Sequence, residues 1–407
     1  MKISIFGLGF VGLTTALGLA DKGFEVWGYD VDASRGAVVP FYEPGLPEAM
    51  KRTLGKTYHV AKDPAEAAYG CDVLFLCVGT PGLPDGTADL TYVFNVIDSV
   101  KDVVSEGCVF VIKSTIPPSS CERVAAQYPE LCFAVNPEFL REGYSWEDFM
   151  NPDRIVCGVS CDVAKNALTR LYAPFNAPIH FVSPNTAEFI KYLSNSMLAT
   201  MISYANEMSL LADAVGGIDI AKAFRVLHED KRLAGSGIAS YIYPGCGYGG
   251  YCLPKDTEAL EALGRSKGFE AGILQNVISL NENMPRISAE KIIKATQGKS
   301  DKIGILGLSF KPGSDDVRDS SAAKIIAELI SAGYTNIWGF DPMANEEFEK
   351  HYNLGISYAK SAGELCTCCD TIALVTAWKD FADINNSFNE KTFVDLRYFL
   401  EDDNKGV

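Results

Sequence analysis

No stretch of this sequence approaches the ~18 consecutive apolar residues that a membrane-crossing helix needs, although 47% of its 407 residues are hydrophobic. Cations are scarce. Lys and Arg number 36 against 52 Asp and Glu, a net charge of −16. Such a chain repels phosphate backbones and anionic lipid surfaces, so nucleic acid and membranes are excluded as expected partners. An anionic ligand must then be held locally, by glycine loops, helix N-termini and a few placed cations. Twelve cysteines fall far short of a disulfide scaffold. Met1–Phe6 runs into a glycine motif and not a cleavage site, so no signal peptide is expected, and the cysteines should be reduced thiols of a cytoplasmic chain. The four histidines (His59, His180, His228 and His351) are scattered, and Cys366-Thr-Cys-Cys369 has no second pair beside it. No metal site is expected.

What is present is alternation. Lys2–Phe6 reads as a buried strand, Gly7-Leu-Gly9-Phe-Val-Gly12 as a turn, Leu13–Lys22 as an apolar helix and Glu25–Tyr29 as the next strand. Val73–Val78 and Val109–Ile112 continue the strands with helical stretches between, which implies a parallel, doubly wound sheet. The pattern recurs toward the other end of the chain: Lys302-Ile-Gly-Ile-Leu-Gly-Leu-Ser-Phe310 echoes Lys2–Phe10, and Ile337-Trp-Gly-Phe-Asp341 echoes Val26–Asp30. Ser309 replaces Gly9 in the echo, so the second half should share the fold but hold its ligand differently. Between the halves, Thr186 to Val215 runs about eight turns without Gly or Pro, apolar on more than one face. Such a helix is expected to be buried, as a linker or a dimer core. Breaks are expected near 180–185 and near 285–300, the latter marked by Asn283-Met-Pro-Arg and Gln297-Gly-Lys-Ser. The expected architecture is α/β: two Rossmann-like doubly wound domains, 1–183 and 296–407, joined by a central long-helix dimerisation segment, 184–295, that carries a cysteine turn.

The first glycine motif, with Phe10 and Val11 inside it, follows a strand, opens a helix, and is followed by an acid, Asp30, at the end of the next strand. That is the order a dinucleotide site requires. Gly7 makes the turn, Gly9 admits a pyrophosphate to the backbone, and Gly12 lets helix pack on strand. Asp30 should accept hydrogen bonds from adenosine ribose hydroxyls and repel a 2′-phosphate, favouring NAD over NADP, while Arg35 is near enough to soften that preference. The alternative is a tight strand-to-helix turn that binds nothing.

Tyr243-Pro-Gly-Cys-Gly-Tyr-Gly-Gly-Tyr-Cys-Leu-Pro-Lys-Asp256 is the other concentrated signal. Four glycines in six residues suit no regular element, so the backbone must take an unusual path or lie close against a ligand. Pro254 marks a helix start, which puts Cys252 just before a helix N-terminus and near Lys255, surroundings that favour a thiolate. Asp256 falls one helical turn later. Cys252 could instead be a buried structural thiol, and Asp256 a decoration of the first turn.

These pieces resemble the UDP-glucose/GDP-mannose dehydrogenase family over nearly the whole chain. The similarity rests on Gly7–Gly12, Tyr42–Leu46, Val78–Pro81, Lys113-Ser-Thr115, Asn136–Gly143, the helix with Lys191 and Asn195, Gly247–Asp256, Gly307–Pro312 with Asp316-Val-Arg318, and Asp395-Leu-Arg397. The resemblance implies oxidation of a nucleotide-sugar C6 alcohol to a carboxylate with two NAD per substrate, most of all UDP-glucose to UDP-glucuronate, in a homodimer joined through the long helix. It makes Cys252 the nucleophile that captures the aldehyde, with Asp256 as base through a water. Lys191 and Asn195 are placed at the C6 oxygen, and Glu138 and Thr115 at the hydrolytic water. Thr80, Thr115, Glu142, Lys255 and Arg318 join the glycine motif, Asp30 and Arg35 at the cofactor. Glu138, Phe139, Leu140, Glu142, Lys191, Asn195, Tyr241, Gly245, Gly249, Phe310, Lys311 and Arg397 are implied substrate contacts.

Spacing alone leaves blander readings open: a Glu188–Lys191 surface pair, and Glu138 with Glu142 as solvated acids beside Arg141. One departure is visible. Many members carry, upstream of the cysteine, an arginine that reaches the neighbouring subunit's substrate; Ser236 stands at that position, and Arg232 is the nearest cation. The competing functions are a GDP-mannose or UDP-N-acetylhexosamine 6-dehydrogenase, a two-electron β-hydroxyacid dehydrogenase, and a non-enzymatic NAD-sensing scaffold. The last two have no use for the cysteine turn.

Overall fold

Val73-Leu-Phe-Leu76 and Val109-Phe-Val-Ile112 are short runs with every side chain buried, as in strands covered on both faces. The computed structural model, which describes residues 1–235 and 237–400, builds two parallel-stranded sheets from such segments. They belong to two compact units, Met1–Ser194 and Asn195–Val407.

In the first unit, β1 (Lys2–Phe6), β2 (Glu25–Tyr29), β3 (Tyr58–Val60), β4 (Val73–Leu76), β5 (Val109–Ile112), β6 (Cys132–Val135), β7 (Ile155–Val159) and β8 (Ile179–Val182) stand in the order β3-β2-β1-β4-β5-β6-β7-β8. Neighbours are parallel except β6 and β7, where Ala134 lies opposite Val159 and Val135 opposite Gly158. The chain order reverses beside β1. The carboxyl ends of β1, β2, β4, β5 and β6 therefore open on one edge, where doubly wound sheets bind ligands. Ile3, Ile5, Leu13, Leu17 and Val26 are fully enclosed beneath that edge, each contributing roughly 1.5–3 kcal/mol by burial. The first helix starts at Phe10, earlier than periodicity suggested, because extended Gly9 serves as its N-cap and accepts from the Leu13 N–H at 2.9 Å.

The second unit holds β9 (Ile303–Leu306), β10 (Ile337–Phe340), β11 (Ser357–Tyr358), β12 (Thr371–Leu374) and β13 (Thr392–Asp395), parallel in the order β11-β10-β9-β12-β13. The echoed motif thus repeats the fold. The helix Gly272–Ala295 passes through the break expected at Asn283–Arg286, with Pro285 inside it. Met284, Pro285, Ser288, Ala289 and Ile292 are buried there, and that packing offsets the backbone hydrogen bond a proline forgoes.

The helix Pro184–Val215 has inverted polarity. Its buried face carries Glu188, Lys191, Asn195, Ser196, Ser203, Asn206 and Ser209, while Phe189, Leu193, Met197, Tyr204, Leu211 and Val215 are 42–66% exposed. At 100° per residue those six apolar side chains lie within an arc of about 80°. The helix is therefore not enclosed on every side within the chain, as its composition suggested.

Candidate active site

In the first unit the glycine motif is dictated by contacts. Gly7 has φ +89°, and a Cβ there would sit 2.7 Å from the Cys77 carbonyl oxygen. A Cβ on Gly12 would fall well inside contact distance of the Gly7 carbonyl oxygen. Gly9 differs: a Cβ would meet only the Arg35 guanidinium at 3.8 Å. The first helix has no side-chain cap for the N–H groups that open it at Phe10 and Val11, and the space beside Gly9 meets only that guanidinium. That is a cradle for a pyrophosphate. Asp30, at the end of β2, accepts from the Leu8 N–H at 2.7 Å and the Asp32 N–H at 2.9 Å. Arg35 lies 3.8 Å from Asp30 and 3.4 Å from Asp32. Two carboxylates thus compensate the Arg35 guanidinium, which could have welcomed a 2′-phosphate, so the donor set fits NAD.

The loops after β4, β5 and β6 continue that edge. Thr80 donates to the Thr115 carbonyl at 2.7 Å, tying the first two together. Lys113 is buried and donates to Asn136 Oδ1 at 2.9 Å, while Asn136 Nδ2 donates to the Val156 carbonyl at 2.8 Å. Burial draws the Lys113 ammonium below its ordinary range. Glu138 is buried against Lys191, Nζ to Oε1 2.8 Å, and its Oε2 accepts from the Leu140 N–H at 2.7 Å. Burial acts to raise the Glu138 carboxyl, but the Lys191 ammonium, the two hydrogen bonds and the Lys113 charge outweigh it and hold the group below the usual range. Phe139 lies under Lys191, 5.6 Å from its ring centre, and under Arg154 at 4.3 Å.

Both blander readings fail here. Lys191 pairs with Glu138, and Arg141 pairs with Asp148 at 2.7 Å. Glu138 and Glu142 do not share a helix face, because 136–141 is irregular; Glu142 is half-buried. Glu188 instead accepts from the Ser119 N–H at 2.8 Å and the Cys121 N–H at 2.7 Å, capping the helix Ser120–Gln127 from outside. Burial pushes its carboxyl up to about 7. Glu43, also buried, accepts from the N–H groups of Gly143 and Ser145 and so fixes the loop that carries Glu142. Lys113, Asn136 and Glu43 stand in motifs already noted, but nothing in their spacing disclosed that they are buried; Glu188 was read only as a surface partner for Lys191.

In the second unit Cys252 is exposed and is the first residue of its helix, Cys252–Ser266, not a residue before it. Tyr251, already helical in φ and ψ, is the N-cap, and Pro254 is tolerated because first-turn N–H groups have no helical acceptor. Cys252 and Asp256 therefore share a face, one turn apart. Asp256 is 1% exposed, with Oδ2 accepting from Asn195 Nδ2 and Oδ1 from Lys255 Nζ, both at 2.6 Å.

The crowded glycines before it are explained by the chain itself. Gly247 and Gly250 have φ of +95° and +78°. A Cβ on Gly249 would strike the Asp319 carbonyl, one on Gly250 the Phe310 ring at 2.9 Å, and one on Gly245 the Arg397 guanidinium. Asn206 Oδ1 receives the Gly245 N–H at 2.7 Å, and Asn281 receives the Tyr248 N–H at 2.7 Å. Gly245 and Gly249, expected as substrate contacts, are thus also packing positions.

Arg397 Nε is buried without a hydrogen-bond partner among the described residues, as suits a guanidinium that binds an anion. Lys311 lies over the Phe310 ring at 5.5 Å, and Arg318 over Tyr251 at 4.8 Å while paired with Asp316 at 2.6 Å. Tyr241 ends a short 3₁₀ helix, Gly237–Tyr241. Ser236 lies outside the described residues, and Arg232 is exposed and paired with Asp230 at 2.6 Å.

The echoed half has closed its own cradle. Asp341, at the place of Asp30, accepts from the Leu308 and Ser309 N–H groups at 2.9 and 3.0 Å, from Ser309 Oγ at 2.8 Å and from Trp378 Nε1 at 3.1 Å. Its carboxylate has no room left for a ribose.

An acid-tipped glycine cradle in one unit, and a thiol one turn before a buried carboxylate in the other, define a dinucleotide-dependent dehydrogenase. The UDP-glucose/GDP-mannose dehydrogenase family matches in three parts: its NAD binding domain over residues 1–176, its central domain over 185–283 and its UDP binding domain over 304–402. The UDP-glucose 6-dehydrogenase of Rickettsia bellii is 34% identical over 424 residues, covering 99% of this chain and 96% of that one. Among solved structures, a UDP-glucose dehydrogenase from Pyrobaculum islandicum superposes with a TM-score of 0.88 at 36% identity, covering 98% and 94% of the two chains. A UDP-D-ManNAc dehydrogenase from Pyrococcus horikoshii gives 0.87 at 26%, covering 100% and 97%. The chain belongs to the UDP-glucose/GDP-mannose dehydrogenase family, whose members are NAD-dependent nucleotide-sugar 6-dehydrogenases.

Proposed function

We propose that the protein oxidises UDP-glucose to UDP-glucuronate, a four-electron reaction that passes through a covalent bond to Cys252. The observation that carries the reading is an exposed thiol at the start of a helix, one turn from a carboxylate held by Lys255 and Asn195. An alcohol-to-aldehyde dehydrogenase needs no such thiol.

When bound, NAD supplies the hydride acceptor for each oxidation. The glycine cradle and Asp30 hold it, with Thr80, Thr115 and Glu142 bordering the same sheet edge; Lys255 and Arg318 are the further cofactor contacts. Lys191, paired with Glu138, is suited to stabilise the C6 alkoxide, and Asn195 to add a hydrogen bond. The Cys252 thiolate adds to the C6 aldehyde and gives a thiohemiacetal, a tetrahedral carbon from which a second hydride can depart. The resulting thioester yields to water: hydroxide adds, and the thiolate leaves. Glu138 remains ionised at neutral pH and can orient that water beside Thr115, while Asp256 takes protons through a water near the sulfur. Arg397 and Lys311 bind the diphosphate, with Tyr241, Phe310, Phe139 and Leu140 shaping the rest of the substrate site.

The parts 1–183, 184–295 and 296–407 divide cofactor binding, thiol chemistry and nucleotide binding. The exposed stripe Phe189–Val215 joins two copies into a homodimer, so Leu193→Glu with Leu211→Glu should sediment as a monomer. The reduced thiol on which the chemistry depends suits a cytoplasmic enzyme.

The test counts NADH per sugar over a panel of nucleotide-sugars. Two per UDP-glucose are expected, and Cys252→Ser should form no acid. One NADH per sugar, with an aldehyde as final product, would overturn the reading. Faster turnover of a UDP-N-acetylhexosamine would move the substrate and keep the chemistry.

A further inference from the structure

Of the twelve cysteines only Cys161 and Cys252 are exposed. Cys161 lies in the first unit, at the amino-terminal edge of its sheet, away from the cofactor loops. Its sulfur is 3.1 Å from that of Cys132. The register explains the closeness. Ala134 faces Val159 and Val135 faces Gly158, so stepping back along antiparallel β6 and β7 brings Cys132 directly opposite Cys161. Cys161, two residues past the end of β7, has extended backbone, φ −145° and ψ 158°, as the N-cap of the helix Asp162–Tyr172. Directly opposed residues of an antiparallel pair have Cα atoms about 4.5–5.5 Å apart with side chains on one face, within the span of a disulfide.

We propose that Cys132 and Cys161 form a thiol–disulfide modification site, closed by exchange with a small-molecule disulfide such as oxidised glutathione. The Cys161 thiolate attacks one sulfur of the small disulfide, forming a mixed disulfide and releasing one thiolate. The Cys132 thiolate then attacks Cys161 Sγ and expels the second. Two protein thiols and one small disulfide become one protein disulfide and two small thiols, so atoms and electrons balance. The new bond closes residues 133–160, the loop that carries Asn136, Glu138 and Glu142. A second close pair, Cys71 and Cys108 at 3.4 Å, is buried in the same unit and offers no such entry.

The test uses the folded Cys252→Ser chain, which removes the other exposed cysteine, with oxidised glutathione as probe, followed by acid quench, alkylation and tryptic mapping. The expected product joins peptide 124–141, which holds Cys132, to peptide 155–165, which holds Cys157 and Cys161. It should form in Cys157→Ser, vanish in Cys161→Ser and be released by dithiothreitol. Glutathione retained on Cys161 without the cross-link would overturn the proposal, because Cys132 would then be out of reach. So would a Cys71–Cys108 link formed ahead of it.

Discussion

Gly9 and Gly12, in one motif, should fail in opposite ways when given a methyl group. At Gly9 the added Cβ meets only a guanidinium at 3.8 Å, an ordinary contact, and φ of −73° suits alanine. Alanine is a poorer N-cap by a few tenths of a kcal/mol, but it recovers about 0.4–1 kcal/mol of unfolded-chain entropy. Gly9→Ala should therefore leave Tm within about 2 °C of wild type. The methyl nevertheless stands where a pyrophosphate must approach the backbone. Losing one charge-assisted hydrogen bond costs about 1.5–3 kcal/mol, or about ten- to a hundred-fold in KM for NAD. At Gly12 the methyl collides with the Gly7 carbonyl, which is backbone and cannot swing aside. Even after about 1 kcal/mol gained in helix propensity, a net loss of about 3 kcal/mol follows, or a Tm about 6–12 °C lower. Thermal melts and initial rates against NAD read both. A Gly9→Ala enzyme with wild-type KM for NAD would refute the cradle, and a Gly12→Ala protein with wild-type Tm would refute the packing argument.

Two more expectations follow from buried charges. The Glu188 carboxyl is raised to about 7 from an ordinary 4.5, so the native state holds a proton that the unfolded chain has released, and stability falls as pH rises between those values. Relative to wild type, Glu188→Gln should gain about 3 kcal/mol between pH 4.5 and 7.5, read from denaturant midpoints; a pH-independent difference would mean the carboxylate is not desolvated. Arg397→Ala should raise KM for the nucleotide-sugar at least ten-fold and leave KM for NAD unchanged; equal shifts in both would remove Arg397 from the diphosphate site.

The legible features were those whose causes are contiguous. Strand, glycine turn, helix and acid follow one another from Lys2 to Asp30, and the echo from Lys302 to Asp341 repeats them closely enough to reveal a second sheet. The partner of Lys191 was not legible, since Glu138 lies 53 residues away and spacing offered Glu188 in its place. The glycine-rich turn showed that something presses on the backbone but not what; Phe310, Asp319 and Arg397 all arrive from far downstream in the chain. Pro285 misled for a related reason. A helix breaker signals a boundary only when tertiary packing does not outweigh it, and there the buried face from Met284 to Ile292 does.

The sealed carboxylate of Asp341 sets a rhythm for catalysis. With this counterpart of Asp30 occupied by Ser309 and Trp378, only the first of the two duplicated motifs keeps an acid open to a ribose. In the proposed four-electron reaction the sugar would then have to wait halfway while one coenzyme is exchanged for another. A carbon–sulfur bond would keep a reactive aldehyde from drifting into solvent during that interval.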